Sequence, residues 1–496
     1  MARSIINLTR IGLFAILASA VLFGGLAIAQ DKKAVKGEAK AKQPAAEKPA
    51  EKAPAEEAPA AEKTVTKPIT PMVSGNYKTL KVDESLKKQL SDVSRSLRNG
   101  FGPGGADLFD KICDNYILAS WTDPKNHHDL ANLRGKFRGQ LQSCKTSVPT
   151  RNHFNNHLLA KLQEMANDNY HPAVRYNCML LLGELDEKPP TQVNGMPTPL
   201  SAALPILLKA ATDDQQVDVV RLAALLGVAR HAYLLRDPDA RRKVSAAMST
   251  LATTRSSPGT SPDGQSWARC IAVDTLGMMG SAGDKGATAQ LLLEIVDNNE
   301  DPMRVRVAAA RAIGNLTYGN LPGLVPDTMV RQLGRMAMSA CKKEIEDCEE
   351  QDRTISPRRL IDQLAAVRIG LMGHDNIRDE QVKGGAMSLI KKAEVKKNAT
   401  AIQKQIDRWI GLLDAEELVK KLEPPKTQTP GMGGPGMGGE MDMMGMGGPG
   451  MGGPGMGMPG RGMGPGETEE DKRKKVSDDV IAKIKEDLKD FAALVQ

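Results

Sequence analysis

The most chemically distinctive residues in this chain are soft ligands. Met441, Met443, Met444 and Met446 stand close together in a stretch otherwise built almost wholly of Gly and Pro. Thioethers suit Cu(I), so methionines at this density outside the cytoplasm would point to copper handling. No His or Cys accompanies them, and a low-complexity Gly/Met/Pro linker uses the same residues without binding anything. A second candidate is His153 with His157. Four residues apart, they share one helix face, a spacing that can place two ligands on one metal. The residues between them are Phe154, Asn155 and Asn156, so the Glu of a zinc-peptidase helix is missing. His127, His128 and His171 have no fixed relation to that pair, and a surface or satisfied-core role is expected for all five.

Other chemistry is excluded more simply. Gly102-Pro-Gly-Gly105 and Gly280-Ser-Ala-Gly283-Asp-Lys285 each precede an expected helix, and such N-termini can hold phosphate. Neither has phosphate-loop or dinucleotide spacing, and both read as helix-to-helix turns. There is no GxSxG elbow, and Glu349-Glu350 lies in a charged, exposed stretch. No catalytic residue, cofactor or metal ligand is therefore assigned, and a non-enzymatic protein is expected.

Composition narrows the partners. The net charge of +7 over 496 residues is spread through mixed-sign stretches, and aromatic residues make up only 3%. Nucleic-acid binders need a clustered basic face, and single-strand binders need stacking rings, so nucleic acid is not expected as a partner. Six cysteines, Cys113, Cys144, Cys178, Cys270, Cys341 and Cys348, form no CxxC pattern. Cys178 sits where other copies of a repeated phrase carry Ala, so it reads as a small buried residue. Cys341 and Cys348, seven apart, would be separated by about 10.5 Å on one straight helix and can pair only if the helix ends between them. Cys113 with Cys144 could join neighbouring helices.

The ends of the chain are expected to differ from its middle. Arg3 and Arg10 precede an apolar run from Ile11 to Ala29 that closes on Ala27-Ile28-Ala29, the pattern of a cleaved export signal over residues 1–29. The rival is an uncleaved membrane anchor, because about 17–25 apolar residues span a bilayer. No membrane contact is expected after cleavage, and the destination is secreted or periplasmic. Residues 31 to about 70 are mostly Ala, Lys, Glu and Pro, a composition that cannot offset its ordering entropy, and the segment 30–75 is expected to form a disordered tether. Residues 426–470 form a Gly/Met/Pro linker. Within the last segment, 471–496, Val476-Ser477-Asp478-Asp479 opens a helix. Ser477 is its expected N-cap, Val476 and Ile481 stand at staple spacing, and Ile484, Leu488, Phe491 and Val495 form one apolar face. That helix docks back on the body or takes a partner.

Between these ends the chain repeats a phrase. It reads Asp168-x3-Pro172-x-Val174-Arg175 with Gly183, then Asp301-Pro302-x2-Val305-Arg306-x2-Ala309 with Gly314. Weaker copies are Val220-Arg221-x2-Ala224 and Arg269-x2-Ala272 with Gly277. The arginines are spaced 46, 48 and 37 residues apart, around the HEAT/armadillo period of about 40–47. Helix couples can be laid out in order: His153–Met165 with Ala173–Leu185, Leu200–Ala211 with Val217–Leu234, Ala240–Thr253 with Trp267–Met279, Ala287–Val296 with Met303–Leu316, Met329–Ala340 with Arg358–Leu371, and Gln381–Ala393 with Ile402–Leu422. Two or three more, near 84–98, 106–120 and 128–143, are expected to form an N-terminal cap over 76–150.

Residues 151–425 thus resemble an array of HEAT-like (armadillo-type) repeats of an exported, bacterial-type protein. The resemblance implies an all-α fold, an α-solenoid of stacked antiparallel couples. It also implies that the turn Asp and the helical Val-Arg pair stack from one repeat to the next, roles that fall on Asp168 with Arg175, Asp214 with Arg221, and Asp301 with Arg306. The copy at Arg269 has Ala268 in place of Val, and that near Arg359 is poorer still. Proteins of this kind include scaffolds and a few lyases acting on bound chromophores. A non-catalytic scaffold for an unknown protein partner is therefore the expected function. Copper binding by the methionine tract and a lyase-type groove site are the alternatives. Gly183 and Gly314, late in their helices, either allow close helix–helix approach or weaken the helix end, and a packing reason is expected because Gly inside a helix costs about 1 kcal/mol against Ala.

Overall fold

A computed structural model describes residues 77–145, 147–189, 196–257, 260–319, 321, 323–373, 384–415, 418, 422 and 468–496. The chain divides into Met1–Val65 and Thr66–Gln496, and every described residue belongs to the second unit. The expected signal, the whole of the expected tether and the methionine tract lie outside the described residues. No helix among the described residues is long and apolar enough to cross a membrane.

The fold is all-α. Its helices are α1 (Leu90–Asn99), α2 (Gly105–Ile112), α3 (Leu130–Gln142), α4 (Val148–Met165), α5 (Pro172–Glu184), α6 (Leu204–Thr212), α7 (Asp218–Leu234) and α8 (Pro238–Thr253). They continue with α9 (Pro262–Met279), α10 (Ala287–Asp297), α11 (Met303–Asn315), α12 (Pro326–Glu350), α13 (Pro357–Met372), α14 (Ala393–Leu413) and α15 (Glu469–Val495). Helix α2 runs on through a π-helical turn, Cys113–Leu118, into Ala119–Trp121. Among the described residues the named strands are Asp186–Lys188 and Thr198–Pro199, which pair antiparallel with Asp186 opposite Pro199.

Local chemistry starts these helices. Proline is the first residue of α5, α8, α9, α12 and α13, where a missing N–H leaves no bond unmade. Asp237 caps α8 by accepting from the Asp239 and Ala240 amides, and Ser261 caps α9 by accepting from Gly264.

Packing is serial. Within each couple α4 lies on α5, α6 on α7, α8 on α9, α10 on α11 and α12 on α13. The second members then pack in order, α5 on α7, α7 on α9, α9 on α11, α11 on α13 and α13 on α14. The first members do the same more sparsely, α6 on α8, α8 on α10 and α10 on α12. Each second helix is therefore hemmed on three sides, which explains why α7 and α9 are buried around most of their circumference. Crossings between second helices depend on glycine: a Cβ on Gly183 would stand 2.7 Å from the Gly227 Cα, one on Gly277 2.8 Å from the Ala312 Cα, and one on Gly314 would run into the Ile369 carbonyl. The apolar side chains form one continuous cluster from Leu86 to Val495.

Three expectations need correction. The couple Gln381–Ala393 with Ile402–Leu422 is a single long helix, α14, preceded over the described part by a short 3-10 turn, Ala386–Leu389. Helix α12 does not stop near Ala340, because Cys341, Glu344, Ile345 and Cys348 continue its buried face through a charged run. Glu344 is tolerated there because its carboxylate accepts from Arg353 Nη1, Arg359 Nε and the Ser356 amide, each at 2.8 Å. Cys341 and Cys348 thus share one unbroken helix and cannot bridge, and Cys113 and Cys144 are likewise free and buried.

The third concerns α15, which begins at Glu469 rather than after Ser477. Thr468 and Asp471 form a reciprocal capping box, the Thr468 hydroxyl accepting from the Asp471 amide at 3.1 Å and the Asp471 carboxylate from the Thr468 amide at 2.9 Å. Its first two turns are charged and carry almost no apolar period, so they gave no hydrophobic signal. Ser477 lies inside the helix, buried, with its hydroxyl accepting from the Ile355 amide at 2.8 Å.

Candidate functional site

The repeated phrase builds a seam, not an open site. Arg175, Arg221, Arg269 and Arg306 are all buried. Each reaches forward to a polar group of the next couple. Arg175 donates to Gln216 and ion-pairs with Asp168. Arg221 donates to Thr260 at 3.0 Å, with Asp214 3.8 Å away. Arg269 donates to Asp301 at 2.8 Å and to the Ala252 carbonyl at 2.8 Å. Arg306 donates to Ser339 at 3.1 Å and to the Val296 carbonyl at 2.9 Å. Asp301, expected beside Arg306, ion-pairs with Arg269 and Arg255 of the preceding couple. Val174 and Val305 lie in the core beside these arginines in sequence, and Gly277 meets Ala312 across the α9–α11 crossing. Buried this way, the signature arginines hold couples in register.

What the second helices leave uncovered is a narrow stripe each. Tyr176 and Leu180 on α5, Leu226 on α7, Trp267 and Met278 on α9 and Val307 on α11 are only partly covered. On α5 and α9 these positions recur at helical spacing. Polar pairs stitch adjacent stripes together. Arg230 on α7 pairs with Asp186 and donates to the Gly183 carbonyl at 2.8 Å. Arg304 on α11 pairs with Asp263 at 3.1 Å and stands 5.6 Å over the Trp267 ring. Arg311 faces Asp274 at 3.9 Å. Just inside α7, burial and the neighbouring Arg230 charge push the His231 imidazole down to about 4.

A cavity of about 520 Å³ opens between the α10–α11 turn and α12, lined in part by Asp297, Glu300, Asp301, Arg306, Arg335 and Lys342. Arg335 grips Asp297 through Nε and Nη2, both at 3.0 Å. The three acids and three bases named here balance in number, so the wall offers neither an anion nor a cation a large net field.

Mixed donors gather at a separate place, where α4 crosses α2 and its π turn. His153 Nε2 lies 2.9 Å from Asp110 Oδ1, and His157 Nε2 lies 2.9 Å from Asp114 Oδ1. His157 Nδ1 is 3.4 Å from Asp110 Oδ1, so its ring stands between two carboxylates. Cys113 is fully buried next to them, and one donor atom each from Cys113, Asp114 and His157 all lie within 4.8 Å of one another. The hydrogen bond to Asp114 raises the His157 pKa, with burial opposing and both carboxylate charges adding. Burial first, then Asp114 and Asp110, push the Cys113 thiol far up. The histidine pair was visible in the sequence but its partners were not, although Asp110 and Asp114 share its four-residue spacing at a constant offset of 43. His127 and His171 stack on each other at 4.3 Å.

Compared with known proteins, the chain matches no family model, no curated protein and no solved structure.

Proposed function

We propose that this protein is an exported, non-catalytic scaffold. Its serial couples form a HEAT-like α-solenoid, and its second helices present a protein partner with the stripe that runs from Tyr176 to Val307. One observation carries the reading. Helices packed edge to edge each leave a single line of half-covered Tyr, Leu, Trp, Met or Val, and arginine–carboxylate pairs bracket those lines. Tyr, Trp and Arg are the residue types that dominate binding energy at protein interfaces, where a desolvated apolar centre sits within a polar rim. The export half rests on Arg3, Arg10 and the run closing at Ala29, and the repeat half on the recurring Val-Arg phrase.

The test is a photo-crosslinking amino acid placed at Leu226 or Trp267 on the stripe, and at Lys243 on the exposed side of α8, in cells of the source organism. A discrete adduct from the stripe positions, absent at Lys243 and lost with Trp267→Glu, is the expected result. Equal labelling from both faces would overturn the reading.

A further inference from the structure

The geometry points to a divalent-metal site of the zinc type at the crossing of α2 and α4. Cys113 Sγ, Asp114 Oδ1 and His157 Nε2 are its ligands, water completes the shell, and Asp110 is the carboxylate that holds the His157 ring. Donor type comes first. A thiol, an imidazole and a carboxylate together suit Zn²⁺ better than Ca²⁺ or Mg²⁺, which take oxygen, or Cu(I), which prefers sulfur.

Placement comes next. One donor atom from each of Cys113, Asp114 and His157 lies within 4.8 Å of the other two, and His157 Nε2 already stands 2.9 Å from Asp114 Oδ1. Zinc bonds of about 2.0–2.3 Å imply tetrahedral ligand separations of roughly 3.3–3.8 Å, so side-chain rotations of about 1 Å close the set. Cys113 and Asp114 are neighbours in sequence, and on a regular α-helix neighbours diverge by about 100°. Here the π turn Cys113–Leu118 begins at this pair, and both donors reach the same imidazole.

The remaining atoms already serve the site. Asp110 Oδ1 stands 3.4 Å from His157 Nδ1, on the far side of the ring from Asp114. A carboxylate on the second nitrogen fixes the tautomer that frees Nε2 for a metal. Asp110 is itself held by His153 at 2.9 Å. The Cys113 thiol is fully buried and makes no hydrogen bond among the described residues. Binding exchanges the S–H bond for an S–metal bond and releases that proton to water, with no change of oxidation state. Lys161 Nζ stands 3.8 Å from Asp114 Oδ2 and would compete with the metal for that carboxylate.

The experiment is titration of the full-length, reduced protein with Co²⁺, followed by displacement with Zn²⁺. One equivalent is expected to give a thiolate-to-cobalt absorption and tetrahedral visible bands, both abolished by Zn²⁺. Thioethers of the methionine tract give no thiolate band. Cys113→Ser should remove that absorption, His157→Gln and Asp114→Asn should weaken binding at least 100-fold, and Asp110→Asn about 10–100-fold. Lys161→Ala, at the partly exposed rim, should tighten it. Folded wild-type protein with no thiolate band, or a band that survives in Cys113→Ser, would overturn the assignment. If Cys113→Ser loses its helical circular dichroism, Lys161→Ala decides, and unchanged Co²⁺ affinity in that variant counts against the site.

Discussion

Arg269 and Asp301 meet at 2.8 Å with both side chains 4% exposed, although they belong to successive helix couples. The pair closes the seam between α9 and the α10–α11 turn. Removing one partner of such a pair strands a charge out of water and costs about 3–5 kcal/mol. Asp301→Ala should therefore lower the denaturant midpoint by the equivalent of about 3 kcal/mol or more. Asp168, which pairs with Arg175 from a side chain 78% exposed, should cost under about 1 kcal/mol when changed to Ala. Equal losses in the two variants would show that the buried arginines do not lock the couples together.

The helix crossings make a prediction against propensity. Ala is a better helix former than Gly by about 1 kcal/mol, so Gly183→Ala and Gly314→Ala would stabilise isolated helices. In the fold a methyl at 183 meets the Gly227 Cα, and one at 314 meets the Ile369 carbonyl, backbone on backbone with nothing able to yield. Both should lower the melting temperature. Gly135→Ala on α3, where a Cβ would meet nothing within 4 Å, should raise stability by about 0.5–1 kcal/mol. Thermal melts of the three variants check the sign, and stabilisation at 183 or 314 would contradict the crossing geometry.

These two cases show what was legible in the sequence. The spacing of apolar residues and the Val-Arg phrase located the couples from α4 to α13, because each second helix must bury three sides. The destination of each arginine was not legible. Asp301 is only five residues before Arg306, yet the turn aims it backwards at Arg269. Charged runs misled in the C-terminal part of α12 and at the start of α15, where Glu344 is held by residues just beyond the helix end and Ser477 by Ile355, far away in sequence. The donors around His157 were half visible, since a helix face can be read from spacing but its opposite number cannot.

His231 sets a pH dependence whose sign follows from burial. Its imidazole is held at about 4 in the fold, against an ordinary value near 6.5, with Nε2 buried and unpartnered among the described residues. The unfolded chain therefore binds the proton first as pH falls. Stability is full above about 6.5 and declines through the window down to about 4, by up to about 3 kcal/mol from this group. His231→Leu should flatten that part of the profile, measured as melting temperature from pH 7.5 to 4.5 beside the wild type. An unchanged slope would mean that His231 is not the group responsible.

The C-terminal helix yields the last prediction. Phe491 meets Trp409 edge-on at 4.8 Å, and the Trp409 indole N–H donates to Asp487 at 3.1 Å. Val480, Ile484, Leu488 and Val495 are buried on the same side, against α12 and α14. A lone amphipathic helix is marginal in water, so α15 draws its order from this contact. Phe491→Ala should cost the docked state about 3–5 kcal/mol. Trp409 would then be wetted, so its emission should shift to the red, and a protease should cut within 469–495 well before it cuts the body. The other tryptophans, Trp121 and Trp267, report on α2 and α9, and Trp121→Phe with Trp267→Phe isolates the signal. Trp409 emission that stays unshifted in Phe491→Ala, with α15 still protected, would mean that the helix is held by something other than this aromatic contact.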